Sequence, residues 1–208
     1  DWFGVYEVED GKILVLFGDV TGHGTPAALI TAVTRGSADM LLQFIKLGKA
    51  DISKDFPSQV LQFINECIVD TGKQTYLMTM VAALIDFKNQ KIFASSAGHT
   101  PPALITTVQG KNEVKYIYPA TGSRLGFAKG ALYETKEFEF IPGQKIIFYT
   151  DGIVEGESPK SKEYGLKNFK KPSTINRQPP TFLSISYIIA QNYSSKNLSM
   201  LSKMFQLK

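Results

Sequence analysis

Hydrophobic and polar residues follow patterns that predict strands in the first and last parts of residues 1–150 and helices between them. The first two apolar runs, WFGVYEV and KILVLFGD, are joined by Asp10-Gly11, a dipeptide favoured in hairpins. Thr25 and Pro26 then predict the start of a helix, with Thr25 as its cap and an end at about Lys46. Gly36 weakens the expectation that this helix is unbroken.

The next segments predict a second helix and further strands. The helix is expected from about Phe56, because apolar residues recur at helical spacing through Ile68, and Cys67 within this apolar stretch is expected to be a core residue. Strands are then predicted at YLMTMVAALIDF, KIFASSAG, PALIT, VKYIY, YETKEFEF and QKIIFYTD. This order is typical of an α+β sandwich with helices packed on antiparallel sheet. Strand signals end near Phe169, and TFLSISYIIAQNY beyond it predicts an isolated apolar helix or strand.

The net charge of +4 is unevenly distributed along the 208 residues. Residues 1–163 hold 16 Lys and Arg against 19 Asp and Glu, whereas residues 164–208 hold seven basic residues and no acidic one. The acidic body disfavours a nucleic-acid-binding module, so we expect no nucleic-acid partner. The sequence contains no run of 18 apolar residues, so no membrane-spanning helix is predicted. Cys67, the one cysteine, excludes an internal disulfide and fits a reducing compartment, which for this chain would be the cytoplasm.

Two segments share one pattern, in which an apolar strand ends on an aspartate and a glycine-containing turn follows. LVLFGDVTGHG carries Asp19 and KIIFYTDGIVEG carries Asp151. Strand ends hold carboxylates rigidly, and glycine lets the backbone approach an ion or a phosphate. A metal ion, a catalytic proton or the turn itself would each explain such an aspartate. If the two strands are neighbours, Asp19 and Asp151 converge, and paired carboxylates suit Mg²⁺ or Mn²⁺.

The segments GDVTGHGTPAAL, SSAGHTPPAL and FYTDGIVEG resemble, in this order and spacing, the SpoIIE-type branch of the PPM metal-dependent serine/threonine phosphatases. DWFGVYEV is similar to the first acidic motif of that family, and YLMTMVAALID, RLG and PGQKIIFYTDG fall where it has equivalents. The resemblance covers residues 1–169 and leaves 170–208 as an atypical basic tail. It implies a PPM-phosphatase-like α+β sandwich of antiparallel β-sheets flanked by helices, incomplete at both ends.

The resemblance also implies a mechanism, in which two divalent ions, Mn²⁺ or Mg²⁺, activate the water that attacks phosphorus. Carried over by motif, Asp19 would bridge both ions and the carbonyl of Val20 would complete one coordination shell. Asp1 would bind the ions from the first strand and Asp151 from the other side. Asp19 and Asp151 are thereby the residues predicted to carry catalysis.

The turn and the two histidines have separate expected roles. Gly22 and Gly24 would allow the tight turn after Asp19. His23 could hydrogen-bond the phosphate or protonate the leaving oxygen, but orientation or packing is the preferred role. His99, in AGHTPP, is expected to brace a loop. Neither histidine is predicted as a metal ligand, because the metal site of the family holds only oxygen ligands.

One departure from the family leaves two functions open. The family normally ends with an Asp-Asp pair that supplies a metal ligand, and here no aspartate follows Asp151. Glu155, Glu157 and Glu163 are the nearest candidates to replace it. The preferred function is a protein serine/threonine phosphatase acting on a phosphorylated STAS-domain regulator of the anti-anti-sigma type, in bacterial sigma-factor signalling. The alternative is a catalytically impaired PPM-fold module that regulates or binds phosphoproteins.

The family resemblance and the first residue also bear on the length of the protein. The sequence opens on Asp1 rather than Met, which indicates a piece of a longer protein. The resemblance implies an N-terminal sensor or receiver module in that protein. Formation of a homodimer through the helices after the acidic turn is left open.

Overall fold

The computed structural model describes residues 1–109 and 111–150 and the strands Tyr187–Gln191 and Phe205–Leu207. These residues divide into two compact units. The first unit contains residues 1–99 and 118–140, and the second contains residues 100–117 and the described part of 141–208.

Strands and helices alternate in blocks, as the sequence predicts. The elements in chain order are β1 (Trp2–Glu9), β2 (Lys12–Val20), α1 (Thr25–Lys46), α2 (Phe56–Gly72), β3 (Met78–Asp86), β4 (Lys91–Ala97), β5 (Ala103–Val108), β6 (Lys111–Tyr116), β7 (Ala120–Thr121), β8 (Lys136–Glu139), β9 (Lys145–Tyr149), β10 (Tyr187–Gln191) and β11 (Phe205–Leu207). The segment YETKEFEF forms a shorter strand than predicted, because only Lys136–Glu139 pair with β4.

The described residues of each unit form one sheet, in which the strands pair antiparallel except at one short strand. In the first unit the strand order is β1-β2-β3-β4-β7, and β8 also pairs with β4. In the second unit the order is β11-β10-β9-β5-β6. Only the two-residue strand β7 runs parallel to its neighbour among the pairings described. The α+β class with antiparallel sheets, predicted from the sequence, is therefore confirmed.

The core of the first unit lies between its sheet and the two helices. Alternate residues of the central strands face the helices, as a strand period of two requires. This core includes Leu14, Leu16, Val20, Met80 and Leu84 from the sheet, and Ile30, Leu61, Ile64 and Ile68 from the helices. Residues of the opposite sheet face, among them Val15, Phe17 and Val81, are also buried. Because both faces are buried, β2 is apolar at almost every position rather than alternating.

Helix α1 keeps the predicted bounds but begins differently from the prediction. Its N-cap is Gly24, at φ 79°, and Thr25 is the first residue of the helix. No side-chain hydrogen bond caps this end of the helix. The prediction that Thr25 caps the helix is therefore wrong, whereas Pro26 occupies the first turn as predicted. The helix continues through Gly36 without a break. Of the helices in the described part, none is long and apolar enough to cross a membrane.

Two further predictions are corrected by the structure. Residues 187–191 form β10, which pairs with β9 in the register Ile188↔Phe148, so the apolar segment in the tail is not isolated. The physical reason is that Tyr-Ile-Ile has high strand propensity, and the edge of an apolar strand offers unpaired backbone groups to it. Cys67, expected in the core, is only half-buried.

A buried amide on α2 holds the loop that follows β7. Asn65 is 0% exposed, and its side-chain oxygen accepts a hydrogen bond of 2.9 Å from the backbone N–H of Gly126. Its side-chain nitrogen donates to the carbonyl of Ala128 at 2.9 Å. Since both ends of this amide are satisfied, the polar residue stabilises the loop instead of weakening the helix packing.

We predict that Gly126→Ala destabilises the protein by about 2–4 kcal/mol. Gly126 has φ 85°, and a Cβ there would lie 2.6 Å from the carbonyl oxygen of Tyr76 and 2.8 Å from Cγ2 of Ile68. The matched control is Gly36→Ala, where no atom lies within 4 Å of the added Cβ and a gain of about 0.5–1 kcal/mol is expected. Urea unfolding measures both changes, and equal effects of the two substitutions would contradict this packing.

Candidate metal centre

Two predicted ligands lie together at the edge of the first unit's sheet, where β1 begins and β2 ends. The register pairs Trp2 with Gly18, and continuing it by one residue places Asp1 opposite Asp19. The backbone nitrogen of Asp1 lies 3.3 Å from Oδ1 of Asp19, and the two side chains are 28% and 36% exposed. The register therefore places two aspartates opposite one another, with side chains that solvent can reach.

The ladder between β2 and β3 determines which way the carbonyl of Val20 points. The backbone N–H of Thr21 donates to the carbonyl of Leu77 at 2.9 Å, and the register pairs Asp19 with Thr79. In an antiparallel ladder hydrogen-bonded pairs alternate, so the backbone groups of the intervening Val20 point away from β3. The carbonyl of Val20 is thus directed to the side of β2 on which Asp1 lies.

A side chain ends this ladder and lets the chain turn away from the sheet. The hydroxyl of Thr21 donates to the carbonyl of Leu77 at 2.8 Å and accepts from its N–H at 3.1 Å. It takes the place that the Thr21 carbonyl would occupy in a continuing ladder. Gly22 and Gly24, at φ 88° and 79°, then form the turn, as predicted for these glycines.

The donors gathered here fit a hard divalent cation. Asp1, Asp19 and the carbonyl of Val20 offer oxygen only, which Mg²⁺ and Mn²⁺ prefer. Two like charges on adjacent strands destabilise the sheet, and a bound cation would remove that repulsion. Residues 1–109 and 111–150 contain no group of three or more His, Cys, Asp or Glu placed to hold a metal. Among the predicted ligands, the described residues thus supply only two carboxylates and one carbonyl.

Asp151, the other predicted ligand, lies outside the described residues, as do Glu155, Glu157 and Glu163. The strand before it, β9, belongs to the second unit's sheet, whereas β2 belongs to the first unit's sheet. The two strands are thus not hydrogen-bonded neighbours, and the convergence of Asp19 with Asp151 stays a prediction. Within the second unit, the hydroxyl of Thr100 donates to the carbonyl of Tyr149 at 2.7 Å and so holds the end of β9.

The two histidines lie in different surroundings. His23 is exposed in the turn, which argues against packing and leaves its other proposed roles open. His99 is half-buried, and its Nδ1 lies 2.9 Å from Oγ1 of Thr79. Its ring also meets the ring of Phe17 edge-on, with centroids 5.6 Å apart. These contacts support the expected bracing role of His99.

Two residues of this sheet edge were not predicted from the sequence. Thr79 lies opposite Asp19, and its hydroxyl approaches the carbonyl oxygen of Asp19 at 3.4 Å. Arg124 is exposed, next to Leu125, which bridges to Met78 of β3. A threonine that interrupts an apolar strand is the only sequence signal for Thr79. The RLG segment that contains Arg124 has an equivalent in the family, but it does not place the residue at this edge, because that position depends on a loop that returns to β3.

The comparisons with known proteins agree on one family. The family model described as stage II sporulation protein E (SpoIIE) matches residues 9–185. The chain is 26% identical over 144 residues to the phosphoserine phosphatase RsbU of Bacillus subtilis strain 168, covering 69% of this chain and 39% of RsbU. The chain spans 30% to 39% of the length of the curated relatives it matches.

Solved structures show the same fold at low sequence identity. The SiaA-PP2C domain of Pseudomonas aeruginosa superposes with a TM-score of 0.61 at 21% identity, covering 81% of this chain and 63% of that domain. RsbX in complex with magnesium superposes with a TM-score of 0.57 at 17% identity, covering 90% of this chain and 84% of RsbX. At these identities the likeness establishes the PP2C fold.

We predict that Thr21→Val destabilises the protein by about 1 kcal/mol, because the N–H of Leu77 loses its acceptor. Thr21→Ser, which keeps the hydroxyl, is the matched control and is expected to change stability less. Thermal unfolding measures the difference, and amide hydrogen exchange at Leu77 is expected to accelerate in Thr21→Val alone. Unchanged exchange at Leu77 would show that the hydroxyl does not end the ladder.

Proposed function

The chain belongs to the SpoIIE family of PPM-type serine phosphatases, and on that premise we propose that it hydrolyses phosphoserine or phosphothreonine on a protein, using divalent metal ions. The observation that carries this proposal is the placement of Asp1, Asp19 and the Val20 carbonyl at one sheet edge. This oxygen-only set is held by β1 and β2, and an apolar core supports both strands.

Each residue of the centre has a proposed role. Asp19 and Asp1 would hold the ions through their carboxylates, and the carbonyl of Val20 would complete a coordination shell. We propose Asp151 as a further ligand, and the sequence motif that contains it is the only support for this role. Bound Mn²⁺ or Mg²⁺, two ions by the family resemblance, would supply Lewis acidity that lowers the pKa of a water and neutralises phosphate charge.

Arg124 is the residue that we assign to the phosphate. It is exposed, and its Cγ would lie 3.1 Å from a Cβ built on Gly98, beside His99. The adjacent Leu125 bridges to Met78, which pairs with Val20. A guanidinium here can meet two phosphate oxygens at once, which a lysine cannot do.

The substrate class that we propose is a small phosphorylated regulator with a STAS domain, of the anti-anti-sigma type. Two relatives, RsbU and RsbP, are named phosphoserine phosphatases, which supports serine phosphate as the group removed. Since the chain spans about a third of the length of its curated relatives, we also propose that sensor or receiver modules accompany it. We propose that it acts in the cytoplasm, where such regulators are found.

A second candidate function is a PPM-fold module that binds phosphoproteins without turning them over. The specific observation in its favour is that no aspartate follows Asp151 in the sequence. Each missing carboxylate weakens an ion's coordination shell and opens it to water. A phosphatase assay during Mn²⁺ titration separates the two, because the impaired module would bind phosphoprotein without releasing phosphate.

We predict that Asp19→Asn lowers phosphatase activity on the order of 10²-fold or more while the fold is retained, since the variant keeps its size but loses the charge that binds the ions. The matched control is Asp10→Asn, which removes an exposed carboxylate paired only with Lys88 among the described residues. Phosphate release from a phosphoserine peptide with Mn²⁺ measures both. Activity of Asp19→Asn within about twofold of wild type would refute the assignment.

We predict that Arg124→Ala raises KM for a phosphoserine peptide about 10-fold, as expected for the loss of a charge-assisted hydrogen bond. Its Mn²⁺ affinity should stay unchanged, because Arg124 offers no metal ligand. Arg35→Ala is the control, since Arg35 is paired with Asp39 on α1. Steady-state kinetics and calorimetric Mn²⁺ titration give the two values. An unchanged KM would remove Arg124 from the phosphate site.

A further inference from the structure

A row of polar side chains, which begins with the two carboxylates, crosses the first unit's sheet. Asp19 on β2 pairs with Thr79 on β3, and continuing the β1 register by one residue places Asp1 opposite Asp19. Residues paired in this way share a sheet face. Phe17 lies on the same face, two residues before Asp19. The row therefore extends from the carboxylate pair to Thr79.

His99 reaches this row from the end of β4. Gly98, at φ 71°, forms an isolated backbone bridge to Met80 just before the histidine. The backbone N–H of His99 donates to Oγ of Ser96 at 3.1 Å, so the short loop is closed on itself. The imidazole then lies with Nδ1 2.9 Å from the hydroxyl of Thr79 and with its ring against Phe17.

The hydroxyl of Thr79 has one proton and two neighbouring polar atoms. It lies 2.9 Å from Nδ1 of His99 and 3.4 Å from the carbonyl oxygen of Asp19. When the hydroxyl donates to Asp19, Nδ1 must carry a proton and donate to the hydroxyl in turn. In that arrangement a continuous chain of hydrogen bonds joins the imidazole to the backbone of Asp19.

We propose that His99 and Thr79 are positioning residues for Asp19, and the proposal rests on the metal-dependent function stated above. Their hydrogen bonds fix the Asp19 peptide at the end of β2, and that peptide sets the direction of the carboxylate. Metal sites require ligands held within about 0.5 Å, and loss of an outer hydrogen-bond partner typically weakens metal binding about 10–100-fold. Neither residue is proposed as a ligand of the ions or of the phosphate.

His99 and Thr79 contribute a hydrogen bond to this face of the sheet rather than packing volume. Phe17 and the surrounding apolar residues already fill this face of the sheet, and Phe17 is 1% exposed. A leucine at position 99 or a valine at position 79 would preserve most of that volume. The hydrogen bond between Nδ1 and Oγ1 is the feature that such substitutions remove.

The test is the Kd for Mn²⁺, measured by calorimetry on the full chain, with the melting temperature of each metal-free variant recorded. Thr79→Val and His99→Leu should each raise Kd about 10-fold or more. Thr79→Ser and His99→Asn, which retain hydrogen-bonding groups, should stay within about threefold of wild type. The double variant Thr79→Val/His99→Leu should bind no more weakly than the weaker single variant, because Thr79→Val already removes the hydrogen bond that His99→Leu removes.

Thr71→Val is the matched control, since it removes a hydroxyl bonded to the carbonyl of Cys67 on α2 and should leave Kd unchanged. If Thr79→Val and His99→Leu bind Mn²⁺ as wild type does while Asp19→Asn does not, the positioning role is wrong and the proposed function stands. If wild type binds no Mn²⁺, or Asp19→Asn binds it equally well, the proposed function itself fails. Additive losses in the double variant would show that the two residues act separately.

Discussion

The antiparallel register between β1 and β2 is the constraint on which the candidate centre depends. It places Asp1 opposite Asp19, and a shift of one residue would move Asp19 to the opposite sheet face. Asp1 and Asp19 form a pair without mutual backbone hydrogen bonds, and in such pairs the Cα atoms approach to about 4.5 Å. Like charges on residues paired across two strands repel each other in the absence of a cation. The sheet thus concentrates negative charge at one edge.

The apolar core makes that register stable. Leu14 and Leu16 of β2 are 1% and 0% exposed against the helices, and Val15 and Phe17 between them are 0% and 1% exposed on the opposite face. A slip by one residue would bring Asp19 to the helix-packed face, where an ion without a partner costs several kcal/mol to bury. Burial of both faces of β2 therefore fixes the position of Asp19, which follows the buried residues of that strand.

Much of this arrangement could be predicted from the sequence. The apolar run ending at Asp19, the Asp10-Gly11 turn and the helical spacing after Phe56 each specify a local structure, and the structure confirms all three. Thr79 and Arg124 could not be placed, because their positions depend on pairing between segments distant in sequence. The strand at residues 187–191 was missed for the same reason, since an isolated apolar segment does not reveal its partner strand. Capping by Gly24 rather than Thr25 reflects a backbone conformation at φ 79° that sequence preference does not specify.

The central claim is that the carboxylates at the end of β2 and the start of β1 hold divalent ions. A crystal of the chain grown with Mn²⁺, examined by anomalous scattering at the manganese edge, tests it most directly. The account predicts an anomalous peak within bonding distance of a carboxylate oxygen of Asp19 and near the carbonyl of Val20. Strong anomalous peaks elsewhere, with none at Asp19, would contradict it.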